Sequence, residues 1–179
     1  MRATILASLL FGGVALAPIA PAYAQDAVST APGNLSGPDY VKYAADLDNY
    51  AIQAGRIAET KSQREDVRGF AKQAVLDHTA LSKSLAAALS NADRKITPPS
   101  TRLSTQSQAK IDLLRKAPKA TFDQLYLQQQ AEAEQSALAL DQAYAANGAD
   151  PALKQVATTA VPVVQRHASA LAGLSNGGR

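Results

Sequence analysis

The chain has 179 residues, 18 basic and 15 acidic side chains, a formal net charge of +3, no Cys, no Trp and a single Met. The absence of Cys excludes a disulfide scaffold, thiolate metal sites, a cysteine nucleophile and c-type haem attachment. The positive surplus is too small to make a basic field, so dedicated nucleic-acid binding is excluded as well.

Residues 1–24 read as an export signal. Arg2 supplies a short positive start, residues 5–17 are apolar except for Ser8, Gly12 and Gly13, and Ala22-Tyr23-Ala24 is a small-x-small cleavage site. The apolar run is too short to span a bilayer, which takes ~20 residues, and Pro18 and Pro21 break any helix before the cut. The expectation is a periplasmic protein cleaved after Ala24. No Cys is present to be acylated, so a lipoprotein is excluded. No later uncharged stretch is long enough to span, and the repeated alternation of a membrane β-barrel is absent.

Residues 25–37 are small and polar, with Pro32, Gly33 and Gly37, and read as a flexible tether. The pattern then predicts a helix over 38–60, with Ser36 as cap and Pro38 where its missing N–H costs nothing. Its inner stripe is Tyr40, Ala44, Leu47, Ala51, Ala54 and Ala58. A second helix over 63–91 carries Val67, Ala71, Ala74, His78, Leu81, Leu85 and Ala88 on one face. Pro98, Pro99 and Pro118 prevent an unbroken helix over 93–120, leaving room for a short one over 104–117 with Ile111 and Leu114. Thr121 and Gln124 match a capping box that opens a third long helix over 121–146. Asn147-Gly148 closes it, with Gly148 in the left-handed geometry. Asp150-Pro151 opens the last helix, whose stripe is Leu153, Ala157, Ala160, Val164, His167, Leu171 and Leu174, with Pro162 kinking it. Residues 176–179 form a frayed tail.

Steps of three and four residues, held over several turns, are the rhythm of helices packed in bundles. Short turns near 61–62 and 147–150 force antiparallel neighbours, and the segment between the two hairpins is long enough to run the length of the bundle. The fold expected for 38–175 is therefore all-α: a ferritin-like four-helix bundle of two antiparallel hairpins joined by a long crossover carrying a short helix.

Both histidines, His78 and His167, fall at mid-helix on apolar stripes. Aligning them pairs Val67 with Val156, Ala71 with Ala160 and Val75 with Val164, a weak repeat that brings both imidazoles to one interior layer. Glu134 lies on the line Leu127, Ala131, Glu134, Leu138 of the third long helix. Two His and one carboxylate can hold a divalent metal with open positions. The same residues also suit a buried polar layer, each imidazole hydrogen-bonded to Glu134, Tyr50, Tyr126 or Gln130, that fixes helix register. A dinuclear site is disfavoured because Val75 and Val164 stand three residues before the histidines, where such sites place Glu. Asp46, Asp48 and Glu59 lie off the inner stripe of the first helix. Asp77 reads as a solvated or boundary carboxylate. No nucleophile elbow and no phosphate-binding Gly loop is present.

The stretches Val67-Arg68-Gly69-Phe70-Ala71, Leu76-Asp77-His78-Thr79, Phe122-Asp123-Gln124-Leu125-Tyr126, Asp150-Pro151-Ala152-Leu153-Lys154 and Val161-Pro162-Val163-Val164-Gln165-Arg166-His167 resemble the DUF4142 family. These are ferritin-like exported bacterial proteins, often labelled outer-membrane proteins. The resemblance spans residues 40–174 and implies a ferritin-like bundle in the periplasm or envelope without an established enzymatic activity. Family members commonly place an acidic residue on the first helix, where this chain has Ala51, Ile52 and Gln53, and a His where it has Glu134.

The leading reading is thus a non-catalytic envelope protein with an interaction or stress-related role, its partner another envelope protein or a second copy. The alternative is a mononuclear site formed by His78, Glu134 and His167, taking iron or zinc. A third reading is a proton-sensitive switch: imidazoles buried neutral would lose stability at mildly acidic pH. The segment 94–119 carries Arg94, Lys95, Arg102, Lys110, Arg115, Lys116 and Lys119 against Asp112 alone. It reads either as a strip touching anionic lipid headgroups or as a solvated crossover.

Overall fold

Among the described residues local sequence sets five helices: α1 (Gly37–Lys61), α2 (Glu65–Ala88), α3 (Thr105–Lys116), α4 (Lys119–Asn147) and α5 (Pro151–Asn176). The computed structural model describes residues 35–90 and 96–177. The export signal, nearly all of the tether, Arg94, Lys95 and the last two residues of the tail lie outside the described residues. No strand occurs among the described residues, and the expected all-α bundle stands.

Three helices are started by a side-chain cap. Ser36 Oγ accepts from the Asp39 N–H at 3.2 Å, and Ser104 Oγ from the Ser107 N–H at 3.2 Å. Asp150 accepts from the N–H groups of Ala152 and Leu153 at 3.0 and 3.1 Å, and satisfying these otherwise orphaned donors stabilises each first turn. Helix α2 begins at Glu65 and not at Gln63, because Ser62 Oγ accepts from the Arg64 N–H and keeps the turn open to that point. The capping box at Thr121 does not form. Helix α4 starts earlier, directly after the extended Pro118, and the Thr121 hydroxyl donates to the Pro118 carbonyl instead.

Gly148 is likewise not left-handed; its φ is −59° and its ψ is 136°. Its small size is needed for another reason, since a Cβ there would sit 2.5 Å from the ring of Tyr144. Helix α5 runs through Pro162 as one element.

The two tight connections make α1–α2 and α4–α5 antiparallel hairpins. Helix α1 also packs on α4, and α2 on α5, closing a ring in which every neighbour is antiparallel. Helix α3 lies across α1 and α4. The crossover is pinned along α1 by three attachments. Asn49 donates to the Ser100 carbonyl at 2.9 Å. Asp46 accepts from the Ser104 N–H, the Ser104 hydroxyl and the Ser107 hydroxyl. Lys61 Nζ donates to the last carbonyls of α3, on Leu114 and Arg115.

Because α1 and α4 are covered on an additional side, each buries more than one seam. On α1 the stripe through Ala51, Ala54 and Ala58 is joined by Val41, Ala45 and Asp48, while Ala44 and Leu47 are only partly buried. On α4 the buried line is Tyr126, Gln130, Glu134, Ala137, Asp141 and Tyr144; Ala131, expected on the inner line, is exposed. The apolar core is in two parts. One cluster surrounds Val67, Phe122, Tyr126 and Leu171, and the other Tyr40, Leu85, Tyr144 and Leu153. A layer of buried polar groups lies between them.

Candidate metal centre

His78 on α2 and His167 on α5 reach the same interior layer, with ring centroids 5.3 Å apart, as the alignment of the two helices predicts. Glu134 reaches between them from α4. Its Oε1 stands 3.0 Å from His78 Nε2 and 3.1 Å from His167 Nδ1. One ligand atom from each of the three residues lies within 4.8 Å of the others, and all three residues are buried. The sequence-predicted triad therefore converges.

The outer nitrogens are held too. His78 Nδ1 meets Asp48 Oδ1 at 2.8 Å, and His167 Nε2 meets Asp77 Oδ2 at 2.9 Å. Ser82 donates to the second oxygen of Asp48, while Gln73 and Arg166 donate to Asp77. Phe70 packs edge-on against His167. Each ring is thus fixed in rotation by a carboxylate on its far side, the arrangement by which metal-binding imidazoles are commonly oriented.

Two of these residues correct the reading from sequence. Asp48 was assigned off the inner stripe of α1, yet it is 7 % exposed and bonded to His78. The line Val41, Ala45, Asp48, at steps of four and three, carried the signal for a second buried seam. Asp77 is a boundary carboxylate, as expected, but it orients His167 across the helix pair rather than merely meeting solvent. Of the imidazole partners expected, only Glu134 is used. The Tyr50 hydroxyl donates instead to Gln129 at 2.9 Å.

Asp141 was also missed, although it continues the α4 line through Gln130, Glu134 and Ala137. It accepts from the Tyr40 hydroxyl at 3.0 Å, and Tyr40 stacks on Tyr144. A cavity of about 20 Å³ opens between Asp48, His78 and Asp141, enough for a single water-sized ligand.

The electrostatics follow from dense burial of unlike charges. Burial alone pushes the His78 imidazole down, but hydrogen bonds to Asp48 and Glu134 and their charges outweigh it, so it is pushed up to about 10. Imidazoles buried in neutral form, the premise of the expected acid-sensitive switch, therefore do not describe His78. Burial likewise favours a neutral Glu134, yet its bonds to His167 and His78 hold it below the usual carboxylate range. Asp77 is held down against its burial by His167, Gln73 and Arg166. Burial dominates at Asp48, which is raised despite His78. It also dominates at Asp141, pushed up to about 7, with the charge of Asp48 adding to the effect.

Glu134 Oε2 is buried and has no hydrogen-bond partner among the described residues. Buried polar groups ordinarily find partners, so a carboxylate oxygen left bare beside two imidazoles suits a site for an additional atom.

No curated protein and no solved structure matches the chain. Residues 22–174 match the family described as a domain of unknown function, DUF4142. With helices, site and nearly the whole chain inside that match, the protein belongs to the DUF4142 family.

Proposed function

We propose that the chain is an exported helical-bundle protein that holds one divalent transition-metal ion, iron or zinc, on His78 Nε2, His167 Nδ1 and the Glu134 carboxylate. The observation that carries this reading is the way Asp48 and Asp77 hold the outer nitrogens while the inner nitrogens converge on Glu134. Two ligand atoms each ~2.1 Å from one ion, at about a right angle, stand ~3 Å apart. The edges at Glu134, 3.0 and 3.1 Å, have that length. Two imidazoles and one carboxylate leave open positions on the ion.

All four ring nitrogens face carboxylate oxygens, and two lone pairs do not meet at hydrogen-bond distance without a proton or a cation between them. The same distances therefore support a second reading, in which protons occupy the inner positions and the layer only locks a bundle that acts through its surface.

Metal analysis of untagged protein from the periplasmic fraction separates the two. About one iron or zinc per chain, lost in His78→Ala with helicity retained, supports the metal site. Substoichiometric metal indifferent to that substitution leaves the proton-held layer. Export is tested on the same sample, whose N-terminal residue is expected to be Gln25.

A further inference from the structure

A second feature of the molecule lies away from the polar layer. Between α1, α4 and the segment 96–107 is a cleft of about 800 Å³. Protein interiors leave few voids larger than a water, and this volume falls in the range of small-molecule sites. Its floor is apolar and deep, formed by Val41, Tyr50, Ala133 and Leu140, with Leu103 on the crossover side.

Cations outnumber anions at its edge. Asp46 lines the cleft, its carboxylate held in place by three hydrogen bonds from Ser104 and Ser107. Lys110 is paired with Glu132 at 3.2 Å. Lys42 and Arg102 also line the cleft and form no ion pair among the described residues. An apolar trough with two cations at its rim, neither held by a carboxylate among the described residues though Lys42 lies 5.4 Å from the Tyr43 ring, is complementary to a molecule with a long hydrocarbon body and one anionic end.

We propose that this cleft binds a long-chain fatty acid, with its acyl chain along Val41, Leu140 and Leu103 and its carboxylate between Lys42 and Arg102. This site is independent of the metal centre.

The test is displacement of dansyl-labelled undecanoic acid from the chelator-treated full chain by laurate, myristate and tetradecanol, each below its aggregation threshold. Burial of each added methylene tightens binding about fourfold, so myristate is expected to bind more than tenfold tighter than laurate. Replacing both rim cations, Lys42→Gln with Arg102→Gln, is expected to weaken myristate on the order of tenfold and to leave tetradecanol unchanged. Ser136→Phe, which fills the cleft from α4, is expected to abolish binding with helicity intact. The rim variant keeps the test decisive if the filled variant misfolds. Absent displacement, affinity independent of chain length, or equal weakening of acid and alcohol by the rim variant would overturn the proposal. Retention on phosphatidylglycerol vesicles without binding of free acid would also overturn it, assigning these cations to contact with a lipid surface.

Discussion

His78 and His167 offer different nitrogens to one oxygen: Nε2 of the first and Nδ1 of the second both face Glu134 Oε1. The two helices align at the histidines, yet their buried stripes are not superposable. Ala71 and Ala160 coincide, but Val67, Ala74 and Leu81 are buried on α2 whereas the buried positions on α5 are Ala157, Val164 and Leu171, each one residue past the aligned one. The helices are thus rotated differently about their axes, and the opposite ring nitrogen turns inward on each.

If the inner nitrogens hold an ion, the carboxylates behind them tune it. Asp48→Asn and Asp77→Asn are each expected to lower metal affinity by roughly 10–100-fold without removing a ligand. Glu134→Gln, which removes an anionic ligand, is expected to do more. Competition titration against a chromogenic chelator measures all three.

The metal-free protein should lose stability as the medium becomes alkaline. The folded His78 value, about 10, lies above the ordinary 6.5, so its contribution is fully present below pH 6.5 and is lost on rising through 10. Glu134 and Asp77 act in the opposite sense, since their lowered values add stability that disappears in acid. Chelator-treated protein is therefore expected to have its highest Tm in mild acid, with a decline toward pH 10 that flattens in His78→Gln. A Tm that falls between pH 7 and 5 would contradict this assignment of charges.

Asp141 is a source of instability at neutral pH. Its folded value near 7 exceeds the ordinary 3.8, so the folded state holds the proton longer and ionisation weakens it as pH rises between those values. Asp141→Asn keeps an acceptor for Tyr40 and removes the charge. It is expected to raise stability at pH 8 by on the order of 1–3 kcal/mol, with the gain vanishing near pH 4. Urea unfolding at the two pH values checks it.

Packing between α1 and α2 depends on a missing side chain. A Cβ on Gly55 would lie 2.6 Å from Val75 Cγ2 and 3.1 Å from the Ala71 carbonyl oxygen. Alanine gains on the order of 0.5–1 kcal/mol of helix preference over glycine, but overpacking against a stiff β-branched residue costs about 1–3 kcal/mol. Gly55→Ala is therefore expected to destabilise, and Val75→Ala in the same chain to recover much of the loss. Denaturant midpoints of the single and double variants measure the coupling.

The helices and the triad were legible in the chain because caps, prolines and stripes are local signals, and because both histidines interrupt otherwise apolar lines. Asp48 and Asp141 were less legible for a tertiary reason. A single-seam pattern describes a helix with one buried stripe, but both carboxylates lie beside that stripe in the bundle interior, where Asp48 meets His78 and Ser82 of α2 and Asp141 meets Tyr40 of α1. The start of α4 illustrates a competition between neighbours: Thr121 and Gln124 have the spacing of a cap, but the extended Pro118 starts the helix before them. Gly148 shows that a glycine closing a helix can be required by a ring lying over it, with no positive φ at all.

The polar layer draws Asp48 and His78 from the first hairpin and Glu134 and His167 from the second. Neither half can satisfy it alone, so these groups stay hydrated until the halves meet and are desolvated together when they do. Assembly of the molecule is thereby made all-or-none at its waist: a partly docked intermediate would strand carboxylates and imidazoles away from water.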